Sequence, residues 1–270
     1  MNSRDIERFL AEDKGFGDIT TALLPDIDGS ADIVTHEDGI VAGLSEAESI
    51  FAYYNLITAP LCCDGDAIKK EDTIVHIAGR VRDILVTERV ALNFLSSMSG
   101  IATATRRCVQ AAGGVTIAAS RKTTPGFRLY EKKAVAIGGG DPHRYTLSES
   151  YLFKDNHLQV ISMEEALQKK AFFTKKVEVE VESVDQCVKA ARLGADIIML
   201  DNMGVDEITA AINKLKEQGL RDNVLLEASG GIKPENVEEY AATRVDVLSL
   251  GYLTHSSPWL DFSLELRAQD

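Results

Sequence analysis

The chain has little cysteine, no long apolar run and a shortage of positive charge. Only Cys62, Cys63, Cys108 and Cys187 occur among its 270 residues, without a C-x-x-C pair or finger spacing. That excludes a dithiol redox motif and a finger-type metal centre, and the four read as buried thiols. No apolar stretch approaches the roughly 18–20 residues a membrane span needs. The opening MNSRDIERFLAEDKGFGD carries acids where a targeting peptide would be cationic, so the expected location is cytoplasmic. Lys and Arg number 29 against 42 Asp and Glu, a net charge of −13 that disfavours nucleic acid as a partner. An apolar content of 45% excludes disorder.

The positive charge that is present is gathered in one place. Between Ser120 and His157 lie seven cations (Arg121, Lys122, Arg128, Lys132, Lys133, Arg144 and Lys154) and four anions, so that stretch is +3 in a chain of −13. A solvated helix face accounts for Arg128, Lys132 and Lys133. It does not account for the other four.

From residue 115 to 256, short β-branched runs alternate with helical patterns, which predicts βα units and a parallel sheet. Six runs are read: 115–119, 150–153, 176–181, 196–200, 223–228 and 245–250. A full eight-unit barrel takes about 250 residues. The expected fold is therefore α/β with an incomplete, about six-stranded parallel barrel, an open doubly wound sheet being the alternative. Residues 1–114 predict a separate α+β lobe, with alternating strands in ADIVTHEDGIVAG and DTIVHIAGRVRDIL. Residues 257–270 are expected to pack back on it. A helix capped by Thr87 is expected to join the lobes.

Every predicted strand of the barrel runs into polar residues, and in parallel α/β folds such ends converge on one site. They bring Arg121, Lys122, His143, Arg144, Lys154 and His157, which suit several anions, since guanidinium pairs with carboxylate or phosphate and ammonium with phosphate. In VEVEVE, Glu178, Glu180 and Glu182 share one strand face. That face is either solvated, which suits Glu178 and Glu182, or inward and paired. Glu180 and Asp201 together would suit Mg²⁺, a hard cation taken by one or two carboxylates plus substrate phosphates. Ser229-Gly230-Gly231 and Gly251 through His255 end the last two strands, where barrels bind phosphate; simple tight turns are the bland alternative. Gly138-Gly139-Gly140 opens a loop that carries His143 and Arg144 and is not a dinucleotide fingerprint. Arg89, in the first turn of a helix capped at Thr87, opposes the macrodipole and so expects an anion to meet, across a subunit interface.

Read together, GDITT (17–21), ERVALNFLSSMSGIATATRR (88–107), SRKTTPGFR (120–128), GGGDPHR (138–144), KDNH (154–157), EVEVE (178–182), LDN (200–202), EASGG (227–231) and GYLTH (251–255) resemble the quinolinate phosphoribosyltransferase family, colinearly over nearly the whole chain. The resemblance implies an α/β-sandwich lobe with an incomplete barrel, and a homodimer or a higher homo-oligomer in which Arg89 serves the neighbouring site. It implies that Arg121, His143, Arg144 and Lys154 meet the quinolinate carboxylates, and that Lys122 and Lys154 contact phosphates of phosphoribosyl pyrophosphate. Glu180 and Asp201 would lie near the ribose and Mg²⁺; Ser229, Gly230, Gly231, Gly251 and His255 would form phosphate turns. The catalytic residues expected are Lys122, Lys154, Glu180 and Asp201.

The implied activity is phosphoribosyl transfer to quinolinate with decarboxylation, a step of NAD biosynthesis. Ser120, Pro142 and Tyr145-Thr146 depart from the common family pattern. Pro142-His143-Arg144 also resembles a molybdenum-locus relative acting on another pyridine-like acid, which generally lacks the KDNH-like segment kept here. Two readings from other classes are a Schiff-base aldolase or isomerase using Lys122 or Lys154, and a non-catalytic protein that binds anionic metabolites.

Overall fold

The computed structural model describes residues 1–172 and 174–268. The chain divides into two compact units, one of Met1–Thr103 with the chain from Ser257 onward, the other Ala104–Ser256. The division lies inside a helix rather than at 114.

In the first unit, α1 (Ser3–Lys14), β1 (Asp28–Thr35), β2 (Gly39–Ile40), α2 (Leu44–Tyr53), β3 (Ile57–Pro60), β4 (Ala67–Ile68) and β5 (Thr73–Arg80) lead into α3 (Val81–Ala111). The C-terminal strand, Phe262–Ala268, pairs antiparallel with β1, and the four-stranded sheet runs C-terminal strand, β1, β5, β3. The strand expected through residue 85 ends at Arg80. There the period-2 pattern stops, and Val81, Ile84, Val90, Ala91, Phe94, Leu95 and Met98 bury one helical face. Thr87 is consequently no cap: its hydroxyl donates within the helix to Asp83 O at 2.8 Å and Ile84 O at 3.0 Å. Arg89 is the ninth residue of α3, so the first-turn macrodipole argument for it fails. Cys108 and Cys187 are buried thiols as expected, whereas Cys62 is half-buried and Cys63 exposed, in a surface loop. Among the described residues no helix is long and apolar enough to cross a membrane.

The second unit holds β6 (Thr116–Ala119), α4 (Arg128–Gly138), β7 (Tyr151–Phe153), α5 (Asp155–Leu158), α6 (Met163–Gln168), β8 (Val177–Val181), α7 (Val184–Arg192), β9 (Ile197–Asp201), α8 (Val205–Glu217), β10 (Leu225–Ser229), α9 (Val237–Ala241), β11 (Val247–Leu250) and α10 (Tyr252–His255). All six strands are parallel, in the order β6-β11-β10-β9-β8-β7. Sequential neighbours pair throughout, except that the first strand joins the last. This is the cyclic order of a barrel left open between β6 and β7, not the reversed order of a doubly wound sheet. Every residue of β8 is buried, as a strand enclosed on both faces requires.

Helix α4 fixes the loops on either side of it. Glu131, buried, accepts from the Thr124 amide at 3.1 Å, and Arg128 donates to Thr123 Oγ1 at 2.9 Å and Tyr145 O at 3.0 Å. Lys132, expected on a solvated face, is fully buried; its Nζ donates to Pro142 O and lies 5.4 Å from the centre of the Tyr145 ring. The loop that follows the helix is thereby tied back to it at Pro142 and Tyr145. Asp141 also makes a parallel bridge to Ala118, beside β6.

Burial, and secondarily Arg128, push the Lys132 ammonium down from 10.5 to about 8. Between those values the unfolded chain binds the proton that the folded chain has lost, so the Lys132 contribution to stability rises with pH. The melting temperature of the native protein relative to Lys132→Met should therefore increase from about pH 7.5 to about pH 10. A pH-independent difference would show that the buried ammonium is not linked to folding.

Candidate active site

The carboxyl ends of β6, β7, β9, β10 and β11 surround a cavity of about 630 Å³, lined entirely by the second unit; β8 contributes no residue to the lining. Arg121, Lys122, His143, Arg144, Lys154, Asp201, Ser229, Gly230, Gly231, Gly251 and His255 all line it. Two expected residues do not. Glu180 is buried behind Lys154, whose Nζ donates to Glu180 Oε2. Arg89 belongs to the first unit; its side chain is 60% exposed and its recorded ionic neighbour is Glu88 at 3.9 Å.

The cations are set by loops whose hydrogen bonds are local. Lys122 is held through its backbone, its amide bonding Ser120 Oγ at 3.1 Å and its carbonyl accepting from Thr254 Oγ1 at 2.8 Å. Arg144 donates to Ser150 O at 3.3 Å. Arg121 Nε is buried without a hydrogen-bond partner. Burial first, and then the neighbouring Arg121 charge, push the Arg144 guanidinium below its usual range. Two guanidiniums this close with a donor left over make a seat for anionic oxygens. His157 has a different job: exposed, it accepts the Lys154 amide at Nδ1 (3.0 Å) and closes the turn that aims Lys154.

The glycines serve approach. Gly230, at φ 95°, has no room for a side chain, since a Cβ there would stand 2.2 Å from Asn202 Oδ1. At Gly251 the same atom would lie 3.0 Å from His255 Nε2 and 3.1 Å from Lys122 Cδ. Backbone in these turns can meet a phosphate at close range.

Opposite the cations are the acids. Asp201 accepts from Asn202 Nδ2 at 2.7 Å; burial and then Glu180 raise its pKa, against the opposing effect of Lys154 and Lys122. Asp201, on the cavity, suits a hard dication shared with substrate oxygens, which Glu180 would join once Lys154 turns to a ligand. Glu178, for which a solvated face was one reading, is only 1% exposed, because the inner face of β8 is closed. Neither of its carboxylate oxygens has a hydrogen-bond partner, and burial with the nearby Glu227 pushes it up to about 8. Glu182, just past the strand, is exposed.

The sequence reading passed over Glu227 and Ser249. Glu227 is 2% exposed and accepts from Ser249 Oγ at 2.5 Å; its other oxygen lies 3.3 Å from His143 Nε2. The signal was available in period 2: Glu227 shares a face with Ser229, and Ser249 with Gly251, both already placed at the site. Among the described residues, His143, Glu178 and Glu227 also place one potential ligand atom each within 4.8 Å of one another. The Arg144 amide, however, donates to His143 Nδ1 at 2.8 Å, so that in the neutral ring the proton sits on Nε2, facing the acids; the hydrogen bond to Glu227 also raises the His143 pKa. An N–H does not ligate a metal.

Comparison with known proteins agrees with this geometry. Family models match residues 18–99 as the quinolinate phosphoribosyl transferase N-terminal domain and 101–265 as its C-terminal domain. A probable nicotinate-nucleotide pyrophosphorylase [carboxylating] of Archaeoglobus fulgidus is 48% identical over 93% of this chain and 98% of its own. The Homo sapiens nicotinate-nucleotide pyrophosphorylase [carboxylating] is 39% identical over 86% of this chain and 80% of its own. The solved nicotinate-nucleotide pyrophosphorylase of Francisella tularensis superposes with a TM-score of 0.92 at 36% identity, covering 98% of this chain and 95% of its own. With both domain models matched and relatives this similar along their whole length, the chain belongs to the quinolinate phosphoribosyltransferase family.

Proposed function

We propose that this chain transfers the phosphoribosyl group of phosphoribosyl pyrophosphate to quinolinate and releases CO₂ and pyrophosphate, leaving nicotinate mononucleotide. The observation that carries the reading is the concentration of Arg121, Arg144, Lys154 and Lys122 on one cavity, faced by Asp201 and two glycine turns. A dicarboxylate and a polyphosphate are the ligands this charge pattern fits.

In this reading Arg121, Arg144 and Lys154 hold the quinolinate carboxylates and point the ring nitrogen at the anomeric carbon, converting an encounter of two solutes into a positioned attack. Bond breaking toward pyrophosphate leaves positive charge on the ribose, and Glu180 and Asp201 favour it. The pyridinium formed then loses its 2-carboxylate as CO₂, because the adjacent cationic nitrogen stabilises the electron pair left on carbon, which then takes up a proton from water to give the product. Fixed charges suffice, and no covalent nucleophile is called for. Lys154 Nζ is engaged by Glu180, whereas Schiff-base chemistry needs a free amine. Mg²⁺, held by Glu180 and Asp201 with substrate oxygens, would neutralise the leaving group. Arg89 completes the site from the second subunit of a homodimer, which suits an exposed guanidinium whose ion pair with Glu88 is long, at 3.9 Å.

Mixed with phosphoribosyl pyrophosphate and Mg²⁺, the protein should release CO₂ from quinolinate and none from nicotinate. Quinolinate binding without any pyrophosphate release would instead identify a metabolite-binding protein. Arg121→Ala should weaken quinolinate binding by about 2–5 kcal/mol, as loss of a buried charge partner does, measured by calorimetry. Glu180→Gln should lower kcat and, by releasing Lys154, also weaken quinolinate binding, with the larger loss in kcat; a loss confined to quinolinate affinity would remove Glu180 from the ribose. If Arg89 acts across a dimer, two inactive variants, Arg89→Ala and Arg121→Ala, should regain activity when mixed and allowed to exchange subunits, because some hybrid sites then carry neither substitution. Inactivity of the exchanged mixture would place Arg89 outside the shared site.

A further inference from the structure

Glu227 is buried, lies on the cavity wall, and has no task in the reaction described above. Its two oxygens bind in different directions: Oε1 takes Ser249 Oγ at 2.5 Å, and Oε2 faces His143 Nε2 at 3.3 Å. His143 holds a left-handed backbone, φ 53°, in a loop with no regular structure of its own. Its other ring nitrogen accepts the Arg144 amide at 2.8 Å. A continuous path of polar contacts therefore runs from β11 through Glu227 and the imidazole to the backbone of Arg144.

The ring has a rival acceptor. Glu178 Oε2 lies 3.9 Å from the same Nε2, and both of its oxygens are otherwise without partners. Nε2 carries one proton and can satisfy one acid well. Ser249 settles the choice by anchoring Glu227 on the nearer side, so the imidazole stands where the Arg144 amide can reach it.

We propose that Glu227 is a positioning residue: anchored by Ser249, it fixes the orientation and tautomer of His143 and through it the placement of Arg144 for the quinolinate carboxylates. This rests on the function proposed above but makes its own demand on the free protein. Loss of Glu227 should let the imidazole turn to Glu178 and pull the Arg144 amide off line. The expected cost falls on quinolinate binding and spares the ribose chemistry.

The test compares Glu227→Ala, Glu227→Gln and Ser249→Ala. Glu227→Ala should raise the quinolinate KM by about tenfold or more, while kcat and the KM for phosphoribosyl pyrophosphate change little. Glu227→Gln can still accept from Nε2 and donate to Ser249, so it should restore a near-native KM. Nitrogen-15 NMR of histidine-labelled protein should show His143 protonated at Nε2 in the native and Glu227→Gln proteins and altered in Glu227→Ala. An unchanged KM in Glu227→Ala, equal losses for both substrates, or no rescue by Gln would each overturn the proposal. If Glu227→Ala does not fold, Ser249→Ala carries the test, with a smaller rise in quinolinate KM expected and an unchanged KM overturning it. A divalent ion found bound to His143 Nε2 would overturn it as well. Absence of CO₂ release by the native protein would defeat the functional reading alone, because the NMR comparison needs no substrate.

Discussion

A carboxylate taken out of water must find a positive partner or a donor. The inner face of this sheet carries three buried ones, Glu178 and Glu180 on β8 and Glu227 on β10. They stand on rigid strands, and two of the groups that answer them, Lys154 and His143, stand on loops. The consequence runs from strand to loop: Glu180 draws in Lys154, Glu227 draws in His143, and each loop is held to the barrel mouth by the charge it carries. Binding groups that would otherwise sample many rotamers are thus arranged before a ligand arrives, which is the condition for fixed charges to act on a reaction. Glu178, the acid left without a hydrogen bond, has its pKa pushed up by burial and by the neighbouring Glu227.

Helix α4 does the same work from outside. A helix bearing Arg128, Glu131 and Lys132 in five residues looks solvated by composition, yet each of these side chains reaches a loop that lines or borders the cavity. Arg128 and Glu131 hold 123–124, just beyond Arg121 and Lys122. Lys132 and Arg128 hold 142 and 145, on either side of His143 and Arg144. The charge that a helical-face reading assigns to solvent is spent on backbone carbonyls, amides and hydroxyls, groups with no signature in sequence.

What was legible in the sequence follows from this. All six strands of the second unit were readable because a parallel sheet enclosed on both faces demands apolar runs, and the polar residues after each run marked the ends that converge. The order of strands, and hence the opening between β6 and β7, was not readable: six units suit either an incomplete barrel or a doubly wound sheet, and the pairing of β6 with β11 is what decides. The start of α3 was not readable, because Val81 serves both a strand alternation and a helical face, and only the Ile84 and Leu95 side of the packed helix decides between them. Strands β3 and β4 are too short to carry a period. The closing strand pairs with β1, more than two hundred residues away in sequence, and no local pattern shows its partner.

The site was readable where chemistry needs a particular residue type and unreadable where it needs a neighbour. Arg121, Arg144 and Lys154 declare themselves by charge in an otherwise acidic chain. Glu227 and Ser249 are ordinary residues in ordinary strands until the register sets Ser229 beside Ser249 and brings both carboxylate oxygens of Glu227 within reach of donors on different elements. The distinction is physical. A residue that meets the ligand is constrained by the ligand's chemistry, which a sequence displays through residue type and spacing. A residue that positions another is constrained by distances across the sheet, and those exist only once the strands have paired.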